Sequence, residues 1–147
     1  TIVSNLIGET RSFLKGKDCN IFPSDLRVSI PSATTYTYPD ATIICGEPEV
    51  TDKQKDTVKN PTVIFEVLSR TTRDYDTIRK FMYYQRIASL KEYIIIDSTK
   101  HSTAVYQRQE NELWKISVAE GSTGTLVIES IACSLAFEEL YANVNLM

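Results

Sequence analysis

Pro61-Thr62-Val63-Ile64-Phe65-Glu66-Val67-Leu68-Ser69 is the stretch that decides the fold. Apart from one carboxylate, Val63 to Leu68 is an unbroken apolar run rich in β-branched residues, as in a central strand covered on both faces. Glu92-Tyr93-Ile94-Ile95-Ile96-Asp97 has the same character. Between the two, the spacing predicts a helix from about Thr72 or Asp76 to Ile87, with Ile78, Phe81, Met82 and Gln85 facing inward. Ser69 and Thr71-Thr72 are suited to cap it, and Asp74 and Asp76 suit its first turn. A strand that returns through a helical crossover lies parallel to its neighbour.

Working outward, Ile2, Val3, Leu6, Ile7, Phe13 and Leu14 predict an amphipathic helix over residues 1–15, stopped by Gly16. Asp18 to Phe22, Leu26 to Ile30 and Ala41 to Cys45 read as strands. Gly46 to Asn60 is charged, without a sustained period, and reads as a surface loop. Ser102 to Arg108 and Glu112 to Ala119 read as a hairpin around Gln109-Glu110-Asn111, followed by a short strand from Thr125 to Ile128 and a capped terminal helix from Ser134 to Tyr141. The expectation is an α/β fold over residues 1–147 as a single domain, a mixed β-sheet flanked by helices with an added C-terminal β-hairpin.

The chain of 147 residues is 42% apolar and 24% charged, which excludes disordered, collagen-like and fibrous classes. No apolar run approaches the roughly 18 residues that a membrane helix needs, and no signal peptide is legible. The sequence starts without Met inside a predicted helix, as a truncated form of something longer would. Cys19, Cys45 and Cys133 are odd in number and far apart, which reads as reduced, buried thiols and hence a cytoplasmic protein. His101 is the single histidine and reads as solvated in a turn. The net charge of −3 is uneven: residues 70–91 carry +4, against −2 before them and −5 after them. Such a basic island is either a solvated helix face or an edge that meets an anion.

Glu66 is the residue that stands out. A buried carboxylate without compensation costs several kcal/mol or shifts its pKa, so Glu66 must lie near a strand end, pair with a cation or bind a metal. Asp40, just before the Ala41 strand, is a second acid; Lys80 lies one helical turn beyond Asp76, with Tyr84 one turn further. Two carboxylates and a lysine suit metal-assisted phosphodiester hydrolysis, since Mg²⁺ prefers carboxylate oxygens and activates its bound water. A structural Glu66–Lys80 ion pair explains the same residues. Asp97 reads as a turn cap, and Tyr84 as packing or a hydrogen bond to a site carboxylate.

At these residues the chain resembles a known family. Tyr38-Pro39-Asp40, then Pro61 to Ser69 around Glu66, then Asp76-xxx-Lys80-xxx-Tyr84, then Leu90 to Asp97 resembles the PD-(D/E)XK nuclease superfamily, and within it a bacterial family of restriction-endonuclease-like proteins. The resemblance implies a restriction-endonuclease-like sheet, Asp40 and Glu66 as ligands of Mg²⁺ (or Mn²⁺), and cleavage of DNA. The superfamily's usual lysine, two residues after the acid, is replaced here by Leu68. The resemblance then implies Lys80, from the following helix, as the third catalytic residue. Cutting both strands of a duplex would favour a homodimer; a membrane partner is not expected. The competing expectation is a catalytically inactive module of the same fold that binds nucleic acid or protein.

Overall fold

A computed structural model describes residues 1–32, 35–51, 54–69 and 75–146, with only the backbone at 54, 55, 75 and 76. In chain order the elements are α1 (Ile2–Leu14), β1 (Cys19–Pro23), β2 (Arg27–Ser29), β3 (Tyr36–Thr37), β4 (Ala41–Cys45), β5 (Val50–Thr51), β6 (Gln54–Val58), β7 (Val63–Leu68) and α2 (Tyr75–Tyr84). They continue with β8 (Glu92–Asp97), β9 (Ser102–Arg108), β10 (Trp114–Glu120), β11 (Thr125–Ile128), a 3-10 turn (Glu129–Ile131), β12 (Cys133–Ala136) and α3 (Phe137–Leu140). The expected caps at Thr71-Thr72 and the acid Asp74 lie outside the described residues.

The central sheet runs β1-β4-β7-β8-β9-β10. It is mixed: β7 and β8 are parallel, joined through α2, and their neighbours are antiparallel. The two apolar strands therefore sit in the middle, as their composition requires. Alternation sorts their side chains to two cores. Val63 and Phe65, with Ile94 and Ile96, face α1 and the β11–β12–α3 segment. Ile64, with Tyr93 and Ile95, faces α2 and a second sheet, ordered β3-β2-β6-β5. The centre of the sheet is thus covered on both faces. The hairpin read at the C-terminal side is β9–β10, and it extends the main sheet.

Four local expectations need correction. The segment from Gly46 to Asn60 holds two strands rather than a loop: β5 pairs with β6, and β6 runs parallel to β2. Its charged residues hide this, and it is closed by Asn60, whose amide donates to Glu47 O and whose Oδ1 accepts from Glu49 N. Ser134 lies in a strand, with Cys133 and Leu135 buried and Ser134 and Ala136 exposed, so the terminal helix is only Phe137–Leu140. His101 is half-buried and stacks edge-on against Tyr141 at 4.6 Å.

The cysteine reading is the fourth. Antiparallel pairing of β1 with β4 sets Cys19 across from Cys45, and the two form a disulfide. Cys133 remains a buried thiol. The thiol argument for a reducing compartment therefore falls away. Among the described residues no helix is long and apolar enough to cross a membrane.

Candidate active site

The polar features singled out in the sequence converge where β4 and β7 meet. β4 pairs antiparallel with β7 through Ala41↔Phe65 and Thr42↔Ile64, so Asp40, one residue ahead, falls across from Glu66. The contact is direct: the Val67 N–H, next after Glu66, donates to Asp40 Oδ2 at 2.7 Å. Strand alternation turns Glu66 to the α2 face, beside Ile64. β7 is buried as far as Glu66 and opens towards solvent at Val67 and Leu68, so Glu66 is the last dry residue before the wet end of the strand.

α2 brings the rest. Lys80 and Tyr84 are one helical turn apart and share a face. Lys80 Nζ is 3.4 Å from Glu66 Oε2, and the Tyr84 hydroxyl donates to the same oxygen at 2.8 Å. That hydroxyl is also 3.3 Å from Thr37 Oγ1 on β3. The helix therefore rotates relative to its purely apolar stripe: Thr77 and Tyr84 are buried, whereas Ile78 and Met82, expected inward, are 62% and 65% exposed. A helix that must present an ammonium and a phenol to a strand carboxylate cannot also bury the opposite flank.

Electrostatics set the state of Glu66. Burial pushes its carboxyl from 4.5 up to about 7; Lys80 and the Tyr84 hydrogen bond pull it down, and the nearby Asp40 charge raises it. Burial also pushes the Tyr84 phenol far up, and the Glu66 charge adds to this, so Tyr84 acts as a neutral donor. Each acid keeps one oxygen, Asp40 Oδ1 and Glu66 Oε1, without a protein hydrogen bond among the described residues. Both acids line a cavity of about 280 Å³ with Tyr38, Leu68, Ser69 and Lys80.

Asp40, Glu66 and Lys80 are thus brought together. Leu68 lines the same cavity, and the amine at the site comes from α2 instead of β7. The side chain of Asp76, and Arg70 and Arg73 of the basic island, lie outside the described residues. Asp97 accepts from the N–H and the hydroxyl of Thr99, both at 2.7 Å, as a turn cap does. Thr37 and Thr77 were missed; short hydroxyl residues in polar segments carry no distinguishing pattern.

Among the described residues no three His, Cys, Asp or Glu side chains cluster as a metal-binding group. The donor set is two carboxylates, hard oxygen ligands of the kind Mg²⁺ and Mn²⁺ take, beside an opening of about 280 Å³.

Comparison with known proteins bears on the family and the fold. Residues 1–138 match the Uma2 family, described as "Putative restriction endonuclease". The chain is similar to two uncharacterized proteins of Synechocystis sp. (strain ATCC 27184 / PCC 6803 / Kazusa). It is 35% identical to sll1609 over 106 residues, 72% of this chain and 60% of that protein. It is 31% identical to slr1290 over 128 residues, 87% of this chain and 66% of that protein. The chain therefore spans less than two thirds of the length of both. A crystal structure from Anabaena variabilis ATCC 29413, titled as a putative nuclease belonging to DUF820, superposes with a TM-score of 0.77 at 16% identity, covering 96% of this chain and 78% of that one. That likeness carries the fold: a nuclease-like mixed sheet flanked by helices. Taken with the match over residues 1–138, it leaves one assignment: the chain belongs to the Uma2 family of restriction-endonuclease-like proteins.

Proposed function

We propose that the protein is a divalent-metal-dependent endonuclease that hydrolyses DNA phosphodiester bonds. Asp40 and Glu66 hold the ion through the oxygens they leave unused, and Lys80 assists the attacking water. The observation that carries the reading is the convergence of two carboxylates from adjacent strands and one lysine from α2 on a single opening. Mg²⁺ held there would supply a polarised phosphoryl oxygen and a water of lowered pKa.

The remaining roles belong to the protein. The Val67 N–H fixes the Asp40 carboxylate, leaving its other oxygen towards the cavity. Tyr84 fixes Glu66 from the opposite side. Lys80, half-exposed, carries a positive charge at the rim, where it can orient a water or offset charge developing on a phosphate. Arg79 on α2 and Arg86 in the turn after it, both exposed, would meet the phosphate backbone, with a salt-dependent contribution to affinity.

The test is conversion of supercoiled plasmid with Mg²⁺ or Mn²⁺. Wild type should nick or linearise it, EDTA should stop the reaction, and Glu66→Gln or Asp40→Asn should lower the rate at least a hundredfold while keeping the fold. Either variant cutting at the wild-type rate refutes the site.

One observation favours a second reading. Lys80 and Tyr84 both already satisfy Glu66 Oε2, as a closed structural ion pair would. A catalytically inactive module binding nucleic acid or protein follows from it. Titration with Mg²⁺ or Mn²⁺ separates the two, because a bound ion raises the melting temperature with concentration. No rise up to millimolar ion supports the module.

A further inference from the structure

The outer edge of the central sheet is unusual for a monomer. β10 is the last strand of the order, seven residues long, and its register with β9 runs without a bulge. It contains no proline, and its one basic residue is Lys115. Proteins normally blunt such an edge with prolines, bulges or several charges, because its free N–H and C=O groups template pairing with another chain. Here the edge carries apolar side chains instead: Ile116 is 57% exposed and Val118 61%, on the same face as Trp114.

The hydrogen-bond phase of the hairpin identifies the free groups. Gln109 N bonds to Leu113 O at one end and Gly121 N bonds to His101 O at the other. Pairs alternate along an antiparallel ladder, so odd-numbered β10 residues bond inward to β9. Trp114, Ile116, Val118 and Glu120 point their backbone groups outward.

We propose that β10 is a self-association edge: it pairs antiparallel with β10 of a second copy about a two-fold axis at Ser117, making one continuous sheet. Two features choose a second copy. Sequence symmetry about Ser117 sets Ile116 opposite Val118 of the second copy, and Val118 opposite its Ile116, so the exposed apolar residues bury each other on one face. Those residues and the Trp114–Glu120 pairs are the ones with outward backbone groups, so every free group within the strand finds a partner in this register. Arg108, already paired with Glu112 at 2.8 Å, lies 4.6 Å over the Trp114 ring and holds that indole in place at the end of the strand.

α2 extends the same surface. Ile78 and Met82 each lie two positions from Lys80, about 160° round the helix from it. Lys80 reaches β7, so these two exposed side chains occupy the flank turned away from β7, on the side of β9 and β10. Phe81, on the same side of the helix as Ile78, touches Trp114 edge-on at 5.1 Å. The pairing leaves the two carboxylate sites in opposite halves of the joined sheet, seven strand spacings or roughly 34 Å apart from β7 to β7. Each site then works alone, and this inference is independent of whether either cleaves DNA.

Light scattering after size exclusion at about 100 µM should give twice 16.6 kDa. Val118→Pro removes only an outward N–H and should give a monomer with unchanged circular dichroism; should it fail to fold, Ile116→Lys, at an exposed position, should give the same result. Ser117→Cys places two thiols across a non-bonded pair on the axis, about 4.5 Å between Cα atoms, and should cross-link to a covalent dimer under mild oxidation. A wild-type monomer, a dimer that survives Ile116→Lys, or a dimer in which Ser117→Cys does not cross-link overturns the proposal.

Discussion

Replacing Glu66 with Gln should make the metal-free protein more stable at alkaline pH and leave it nearly unchanged at acid pH. Glu66 is 6% exposed, and burial raises its carboxyl from 4.5 in the unfolded chain to about 7 in the fold. Between those values the folded protein keeps a proton that the unfolded chain has released. Stability from this residue is therefore complete below about 4.5 and is lost as pH rises through 7. At about 1.4 kcal/mol per tenfold change in proton affinity, the loss is about 3 kcal/mol, an upper bound for one carboxyl. Gln has the same shape, still accepts from Tyr84, and does not titrate. The assay is urea unfolding of both proteins in EDTA from pH 4.5 to 8.5. The stability difference should move by about 3 kcal/mol in favour of Gln across that range. A flat difference would mean that Glu66 is not buried as described. A difference moving in favour of Glu would mean that the Lys80 charge outweighs desolvation, and the reasoning would be wrong in sign.

Other outcomes follow from single contacts. Tyr84→Phe removes the 2.8 Å hydrogen bond to Glu66 and should cost about 1–2 kcal/mol, while raising the pH at which Glu66 titrates, read by the same denaturation series. Replacing Cys19 and Cys45 together with Ala opens a loop with a sequence separation of 26 and should cost about 3.5 kcal/mol by the chain-entropy account, measured as a fall in the urea midpoint. Gly124→Ala should be destabilising by about 1–3 kcal/mol in thermal unfolding, because a Cβ there would lie 2.6 Å from the fully buried Phe137 ring.

What the sequence revealed, and what it hid, divides along physical lines. Glu66 was legible because a carboxylate inside an apolar strand has few affordable environments, and the structure gives it three at once: a strand end, a cation and a phenol. β7 and β8 were legible because strands covered on both faces lack polar alternation. β5 and β6 were hidden because their pairing depends on β2 and on the Asn60 bonds, which local composition does not encode. Ser134 was misread because a four-residue strand with alternate burial and a capped helix start share small polar residues. Ile78 and Met82 show the limit of apolar periodicity: Phe81 packs inward as expected, but the helix faces the sheet through Thr77, Phe81 and Tyr84, with Lys80 at the edge, and Ile78 and Met82 are left outside. Cys19 and Cys45 become partners only through the β1–β4 register, a long-range fact that cysteine spacing cannot supply.

The most direct test of the account is a crystal soaked in Mn²⁺ and measured for anomalous scattering. One peak between the Asp40 and Glu66 carboxylates, within about 2.0–2.6 Å of an oxygen from each, is the expected result. A peak bound by neither acid, or no peak at millimolar Mn²⁺ with Lys80 still closed on Glu66, would contradict it.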